Sequence, residues 1–269
     1  MKRVILACAA LAASAVIATP ALAQRAAAPP VKTAGTLTVG LSLPSPGFQT
    51  GTVRGTNVLN PKGMEVEMGQ LIAKKLGLKT VKFYNVSNFS NIYSSAPKPY
   101  DFALAEVTIT PARAKAVAFS VPYYNANQGV LIRKGLAHPK HVADLKKLQL
   151  CAQADTTGLA YILHVIRPSK KPGVYSASSS AAFDAVQAGH CDALILDVPI
   201  VVAQSQKKPG AYGGVVGQIV THEGYGAVMD KGSKLKPSLD KAIKALKANG
   251  TIDRLQKKWL PFTKVPILT

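Results

Sequence analysis

Apolar residues along the chain switch between a period of two and a period near 3.6. Residues 36–41 (TLTVGL) alternate as a strand, and Pro44, Pro46 and Gly47 then force a loop around Phe48. A polar insert follows, as far as Gly63. Met64, Met68, Leu71, Ile72 and Leu76 recur at helical spacing, and Gly77 stands where a helix C-terminal glycine belongs, before a strand at 79–84. Strand, helix, strand implies a parallel arrangement. After an apolar strand at 100–104 the alternation resumes beyond Gly129, with strands at 130–133 and 148–152, a helix at 157–166, a strand at 173–176, a helix at 180–188 and a strand at 193–196. Leu235, Leu239, Ala242, Ile243 and Leu246 mark a one-sided helix, and Ile252, Leu255 and Trp259 continue with another in which Trp259 reads as core. The pattern predicts an α/β protein built as two lobes.

The first residues follow a different rule. Lys2 and Arg3 precede the apolar run 4–18, and Ala21-Leu22-Ala23 supplies an A-x-A cleavage site, so 1–23 reads as an export signal cleaved after Ala23. Cys8 has almost no apolar segment before it, which argues against lipidation. Residues 24–34 are rich in Ala, Pro and Lys and read as a flexible leader. No later stretch reaches the roughly 18 apolar residues needed to span a bilayer. The remaining chain of about 246 residues suits two lobes of roughly 100–150 residues each.

Charge and cysteine content narrow the chemistry. Without Lys2 and Arg3 the chain carries 31 basic and 13 acidic side chains, a balance of about +18. The lysines are dispersed and lack an interleaved aromatic platform, so they read as a solvated basic surface rather than a nucleic-acid site. Any use they have would be approach to an anionic membrane or an acidic transporter face. In an oxidising compartment Cys151 and Cys191 are either a disulfide or two buried thiols. There is no C-x-x-C and no zinc-like spacing of histidines, and no cofactor or metal is expected.

The chemistry concentrates in TITPARAKAVAFSVPYY, residues 108–124. Thr110 reads as an N-cap and Pro111 as the first helical residue, which puts Arg113 in the first turn beside unpaired backbone N–H groups. A guanidinium there can hold both oxygens of a carboxylate, and a free amino acid would fit. Asp197 ends the buried strand 193–196 and precedes Pro199, the place where α/β crevices take ligands, although a helix cap needs the same place. Thr156 and Thr157 open the helix after the Cys151 strand, in reach of a ligand or as plain caps.

DFALAEVTITPARAKAVAFSVPYY resembles the strand, turn and hinge of bacterial extracellular solute-binding family 3, the substrate-binding proteins of polar amino-acid ABC transporters. Similar blocks follow in order: GTLTVG at 35–40, GMEVEMGQLIAKKLG at 63–77, ADTTG at 154–158, AGHCDALILD at 188–197 and KANGTIDRLQKKW at 247–259. The resemblance covers about 35–265. It implies a two-lobe periplasmic-binding-protein fold of type II, with mostly parallel sheets flanked by helices and a two-strand hinge. Lobe 1 would comprise 35–126 and 222–269, and lobe 2 would comprise 127–221. It further implies a periplasmic monomer that captures an amino acid and delivers it to a membrane permease. Arg113 and Thr108 would then take the ligand carboxylate, Thr156 and Thr157 would add to it from the other lobe, and Asp197 would take the ammonium.

Several positions depart from the family pattern. Ser45 replaces an aromatic residue, Ser42 an acidic one and Asp155 a glycine, while Glu106 stands where a small residue is usual. Phe48 and Phe89 remain as candidates to line the pocket. An anionic Glu106 favours a basic or polar amino acid, unless it pairs with a lysine or arginine of the protein. Two other functions stay open: an exported dehydratase of cyclohexadienyl or arogenate type, with Glu106 or His222 as acid or base, and a ligand-sensing module. The absence of a nucleophile–base pair or metal cluster argues against an enzyme.

Overall fold

The computed structural model describes residues 28–176, 178–260 and 264–269. The segment expected as an export signal, with Cys8, and the part of the expected leader before Ala28 lie outside the described residues. The chain first lays down strands β1 (Thr36–Leu41), β2 (Thr50–Arg54), β3 (Asn57–Lys62), β4 (Thr80–Asn85), β5 (Phe102–Ala103) and β6 (Ala118–Phe119), with helices α1 (Met64–Lys75) and α2 (Pro111–Ala116) between them. It then crosses to a second sheet formed by β7 (Tyr124–Ile132), β8 (Leu150–Gln153), β9 (Gly173–Tyr175), β10 (Ala193–Asp197) and β11 (Gly214–Tyr225), with α3 (Thr157–Tyr161), α4 (Ser179–Gln187) and α5 (Val198–Lys207). It returns through β12 (Val228–Met229) and ends its helices with α6 (Lys236–Ala248) and α7 (Thr251–Trp259). The sheet orders are β2-β3-β4-β1-β5-β12-β6 and β11-β7-β10-β8-β9.

Both sheets are mixed. Parallel order runs through β4-β1-β5 and through β10-β8-β9, the part that the alternation of strand and helix makes legible. The other neighbours are antiparallel, among them the β2–β3 hairpin and the pairing of β7 with β10 and β11. The insert before Gly63 is that hairpin rather than a loop. It reads as polar because only Val58 among its residues is buried. The helix expected at 157–166 is α-helical to Tyr161 and π-helical over Ile162–Ile166, where Arg167 ends it in the left-handed region.

Local chemistry explains the first lobe well. Gly63 precedes α1 with φ 131°, and a Cβ there would lie 2.1 Å from the Phe48 carbonyl oxygen, so only glycine lets the chain turn into the helix. Glu67 in the first turn and Lys74 and Lys75 in the last complement the α1 dipole. Met64, Met68 and Ile72 bury the inward stripe against Leu37, Val39 and Leu41 of β1.

The lobes join where β7 and β11 run antiparallel, Tyr124 opposite Tyr225. Phe48, Tyr124 and Tyr225 form an aromatic cluster at this junction, with Tyr124 and Tyr225 stacked at 5.3 Å and Phe48 edge-on to Tyr124 at 5.5 Å. Cys151 of β8 and Cys191 ahead of β10 are joined as a disulfide, their Cα atoms 6.0 Å apart. Trp259 is half-buried at the edge of the core rather than inside it. Residues 264–269, expected with lobe 1, lie instead on the second sheet: Gln218 exchanges backbone hydrogen bonds with Pro266 and Leu268, and Val142 donates to Thr269. Leu268 fills the space over Gly217, where an added Cβ would meet it at 2.3 Å.

Candidate functional site

A cavity lies between the sheets at the carboxyl ends of β5, β8 and β10. Lobe 1 lines it with Ser42, Pro44 and Ser45 after β1, with Phe89, with Ala105, Glu106 and Thr108, and with Arg113 of α2. The other lobe contributes Gln153, Thr156 and Thr157, Ser178 and Ser179 at the start of α4, and Leu196, Asp197 and Ile200. Its volume is about 40 Å³. Pockets that enclose small molecules are nearer 300–1,000 Å³, so the cavity in this arrangement is smaller than such a pocket.

Arg113 is placed as its sequence context predicts. Thr110 caps α2 by accepting from the Arg113 backbone N–H at 3.2 Å, and Pro111 occupies the first turn. The guanidinium donates from Nη1 to the Thr108 carbonyl at 2.9 Å and from Nη2 to the Asp155 carbonyl, across the lobe boundary, at 2.8 Å. Its flat face rests on Tyr93, 4.4 Å from the ring centroid, and it lies 5.5 Å from Phe89. The Tyr93 side chain also hydrogen-bonds the guanidinium, which has five N–H groups in all. Asp155 meets Arg113 and the Tyr93 hydroxyl through its backbone carbonyl, not its carboxylate, which its left-handed φ of 61° makes possible.

Asp197 is buried at the end of β10. Its Oδ1 accepts from Gln128 Nε2 at 2.6 Å and its Oδ2 from the Tyr225 hydroxyl at 2.5 Å. Burial, followed by the neighbouring Glu223 carboxylate, pushes its pKa up to about 7. Glu106 is also buried and has φ 52°, in the left-handed region. It pairs with no lysine or arginine among the described residues. Instead Ser45 Oγ donates to it at 2.5 Å and Gln49 Nε2 at 2.7 Å. The same Gln49 amide donates to Glu65 of α1 at 2.8 Å, and Glu65 accepts the Glu106 backbone N–H and the Tyr123 hydroxyl. Burial raises the pKa of both carboxyls, and for Glu106 the charge of Glu65 adds to it.

The threonines are held by the protein itself. Thr156 caps α3, accepting from Leu159 N–H and donating to the Gln153 carbonyl, so its hydroxyl is already committed. Thr108 and Thr157 both donate to Glu223, at 2.7 and 2.6 Å. Of the two aromatic candidates, Phe89 lines the cavity, whereas Phe48 is fully buried in the junction cluster and lies outside the wall. His222 is exposed and borders a separate groove behind the hinge with Asn127 and Gln218. Sequence reasoning missed Glu223, Gln128, Gln49, Glu65 and Tyr93. The one visible signal was Gln128, the last polar side chain before the apolar run of β7.

Two sheets joined by crossing strands, with a cation and a carboxylate facing one enclosed cavity, define a two-lobe binding protein of the periplasmic type II class. The model for bacterial extracellular solute-binding proteins, family 3, matches residues 37–262, and the chain belongs to that family. It is 29% identical over 205 residues to an arginine-binding protein of an Escherichia coli ABC transporter, covering 74% of this chain and 82% of the relative. It is 28% identical over 205 residues to a glutamine-binding protein of a Bacillus subtilis ABC transporter, covering 74% of this chain and 72% of the relative. A solved ancestral arginine-binding protein bound to arginine shares 31% identity with a TM-score of 0.73, covering 84% of this chain and 98% of that one. An ancestral amino-acid-binding protein described as a precursor of cyclohexadienyl dehydratase shares 28% identity with a TM-score of 0.71, over 84% and 96% of the two chains.

Proposed function

We propose that this chain is the exported, monomeric, substrate-binding component of an ABC transporter, which closes on a basic or polar amino acid and hands it to a membrane permease. The lobes would be 35–126 with 222–260, and 127–221 with the tail 264–269. The observation that carries the reading is the facing of Arg113 and Asp197 across one cavity. Arg113 brings a guanidinium to a carboxylate, and Asp197 brings a buried carboxyl to an ammonium. Glu106 adds a second acid and favours a ligand with a further positive or donating group. The relatives named for arginine and glutamine support an amino acid of this kind.

The test is calorimetric titration of residues 24–269, stripped of ligand by unfolding and refolding, with L-arginine, L-lysine, L-glutamine and L-glutamate. Saturable binding of arginine, lysine or glutamine is expected, weakened more than tenfold in Arg113→Ala, because truncation strands the ligand carboxylate in a buried site. Absence of binding by all four would overturn the proposal.

A second reading rests on Glu106. Glu106 lines the cavity and burial raises its pKa, the direction that suits an acid giving a proton to a leaving hydroxyl. Turnover of arogenate or prephenate, lost in Glu106→Gln, would establish it; no turnover by wild-type protein removes it.

A further inference from the structure

Glu223 lies just behind the wall that Thr108, Thr157 and Asp197 present to the cavity. It reaches that place because β11 carries two extra residues between Ile219 and Glu223, opposite Gln128 and Ala126 of β7. Asn127 Oδ1 holds the bulge by accepting from Thr221 N–H at 3.1 Å and His222 N–H at 3.3 Å, and His222 adopts φ 52°. Four donors converge on the Glu223 carboxylate. Oε2 takes the hydroxyls of Thr108, from lobe 1, and Thr157, from the other lobe; Oε1 takes Thr221 Oγ1 at 2.9 Å and Gln128 Nε2 at 2.8 Å.

This arrangement fixes more than distance. An ionised carboxylate only accepts, and a threonine hydroxyl has a single proton to give. Thr108 and Thr157 therefore spend their protons on Glu223 and have only lone pairs left for a ligand, one of those on Thr157 already facing Gln128 Nε2 at 3.2 Å. Hydroxyls so oriented repel a carboxylate and accept from an N–H group. They stand beside Asp197, which Gln128 ties to Glu223 through one amide. The two threonines also belong to opposite lobes, so the oxygen that binds both must lose one when the cleft opens.

We propose that Glu223 is a positioning residue that clasps the closed lobes through Thr108 and Thr157 and sets both hydroxyls as acceptors for a ligand ammonium. The second part rests on the amino-acid-binding reading above; the clasp does not.

The clasp is tested without ligand, by small-angle scattering of stripped protein. Glu223→Gln is expected to enlarge the radius of gyration relative to wild type, and Thr157→Val to do the same, since each removes part of the bridge while adding little volume. Equal radii in all three would overturn the clasp. The hydroxyl polarity is tested by titrating wild type, Glu223→Gln and Glu223→Asp with L-arginine and with 5-guanidinopentanoic acid, which lacks only the α-amino group. Glu223→Gln should weaken arginine at least tenfold and the deaminated analogue less than threefold, and Glu223→Asp, which keeps the charge, should recover part of the difference. Equal weakening of the two ligands would reduce Glu223 to a structural role and overturn the assignment. Wild-type protein that binds neither compound nor any other amino acid removes the ligand reading itself, a result distinct from an unchanged ratio.

Discussion

Asp197 shows how a single side chain can make ligand capture depend on pH. In the fold, burial and the neighbouring Glu223 push its pKa up to about 7, against an ordinary 3.8. Below pH 3.8 it is protonated in both folded and unfolded chains and contributes no penalty. Between 3.8 and 7 only the folded chain holds the proton, so stability falls as pH rises through that window and the loss is complete above 7. The loss is on the order of 4 kcal/mol for a fully buried group. Thermal unfolding of ligand-free protein should therefore lose more stability between pH 5 and pH 8 in wild type than in Asp197→Asn. An ammonium beside Asp197 reverses the trend, so stabilisation by a bound amino acid should be larger at pH 8 than at pH 5. At this scale the sequence disclosed the residues whose partners are local: Arg113 declares itself by its own cap, proline and helix turn. Glu223 and Glu65 stayed hidden because their partners are distant in the chain, Gln128 by 95 residues and Glu106 by 41. Nothing in a neighbouring residue marks such a pairing.

Elements with one face buried and the other solvated were legible, and elements that break that rule were not. α1 and α6 show a clear apolar stripe, whereas α5 buries an unbroken run, Pro199–Ala203, that carries no helical period. β11 escaped detection because bulges interrupt its alternation. α3 is short and takes its position from a glycine: a Cβ on Gly158 would lie 2.7 Å from both the Ile195 carbonyl oxygen and Gln128 Oε1. Gly158→Ala should push α3 away from β10, draw Thr157 off Glu223 and weaken ligand binding at least tenfold, with the folded far-ultraviolet circular dichroism spectrum kept. A full-strength titration curve in that variant would show that the approach of α3 to β10 is not needed. The disulfide acts on a different element, closing a 40-residue separation that contains α3, β9 and α4. Cys151→Ser with Cys191→Ser should lower unfolding stability by about 4 kcal/mol in a chain-entropy account. Chemical denaturation of the double variant checks this, and an unchanged midpoint would refute it.

At the scale of the whole molecule the cleft explains why buried acids are tolerated. Gln49 bridges Glu65 and Glu106, and Gln128 bridges Asp197 and Glu223, so amides stand where lysines would neutralise the charge. Arg113 is the one cation among the described residues lining the cavity, although the chain carries a large basic excess. Division into two lobes was legible because the order of strands and helices repeats on either side of the junction. The path of the last residues was not, since VPILT is too short to show a pattern and its position depends on Gly217 making room for Leu268. That path places the two ends of the described chain on different bodies. Lys32 is anchored to Asp101 and Asp230 of the first lobe, and Thr269 to Val142 and His141 of the second. A donor fluorophore fused ahead of residue 28 and an acceptor fused after Thr269 would thus ride on opposite jaws. Capture of a solute would then appear as a change of colour, which makes the bare chain a ready frame for an optical biosensor.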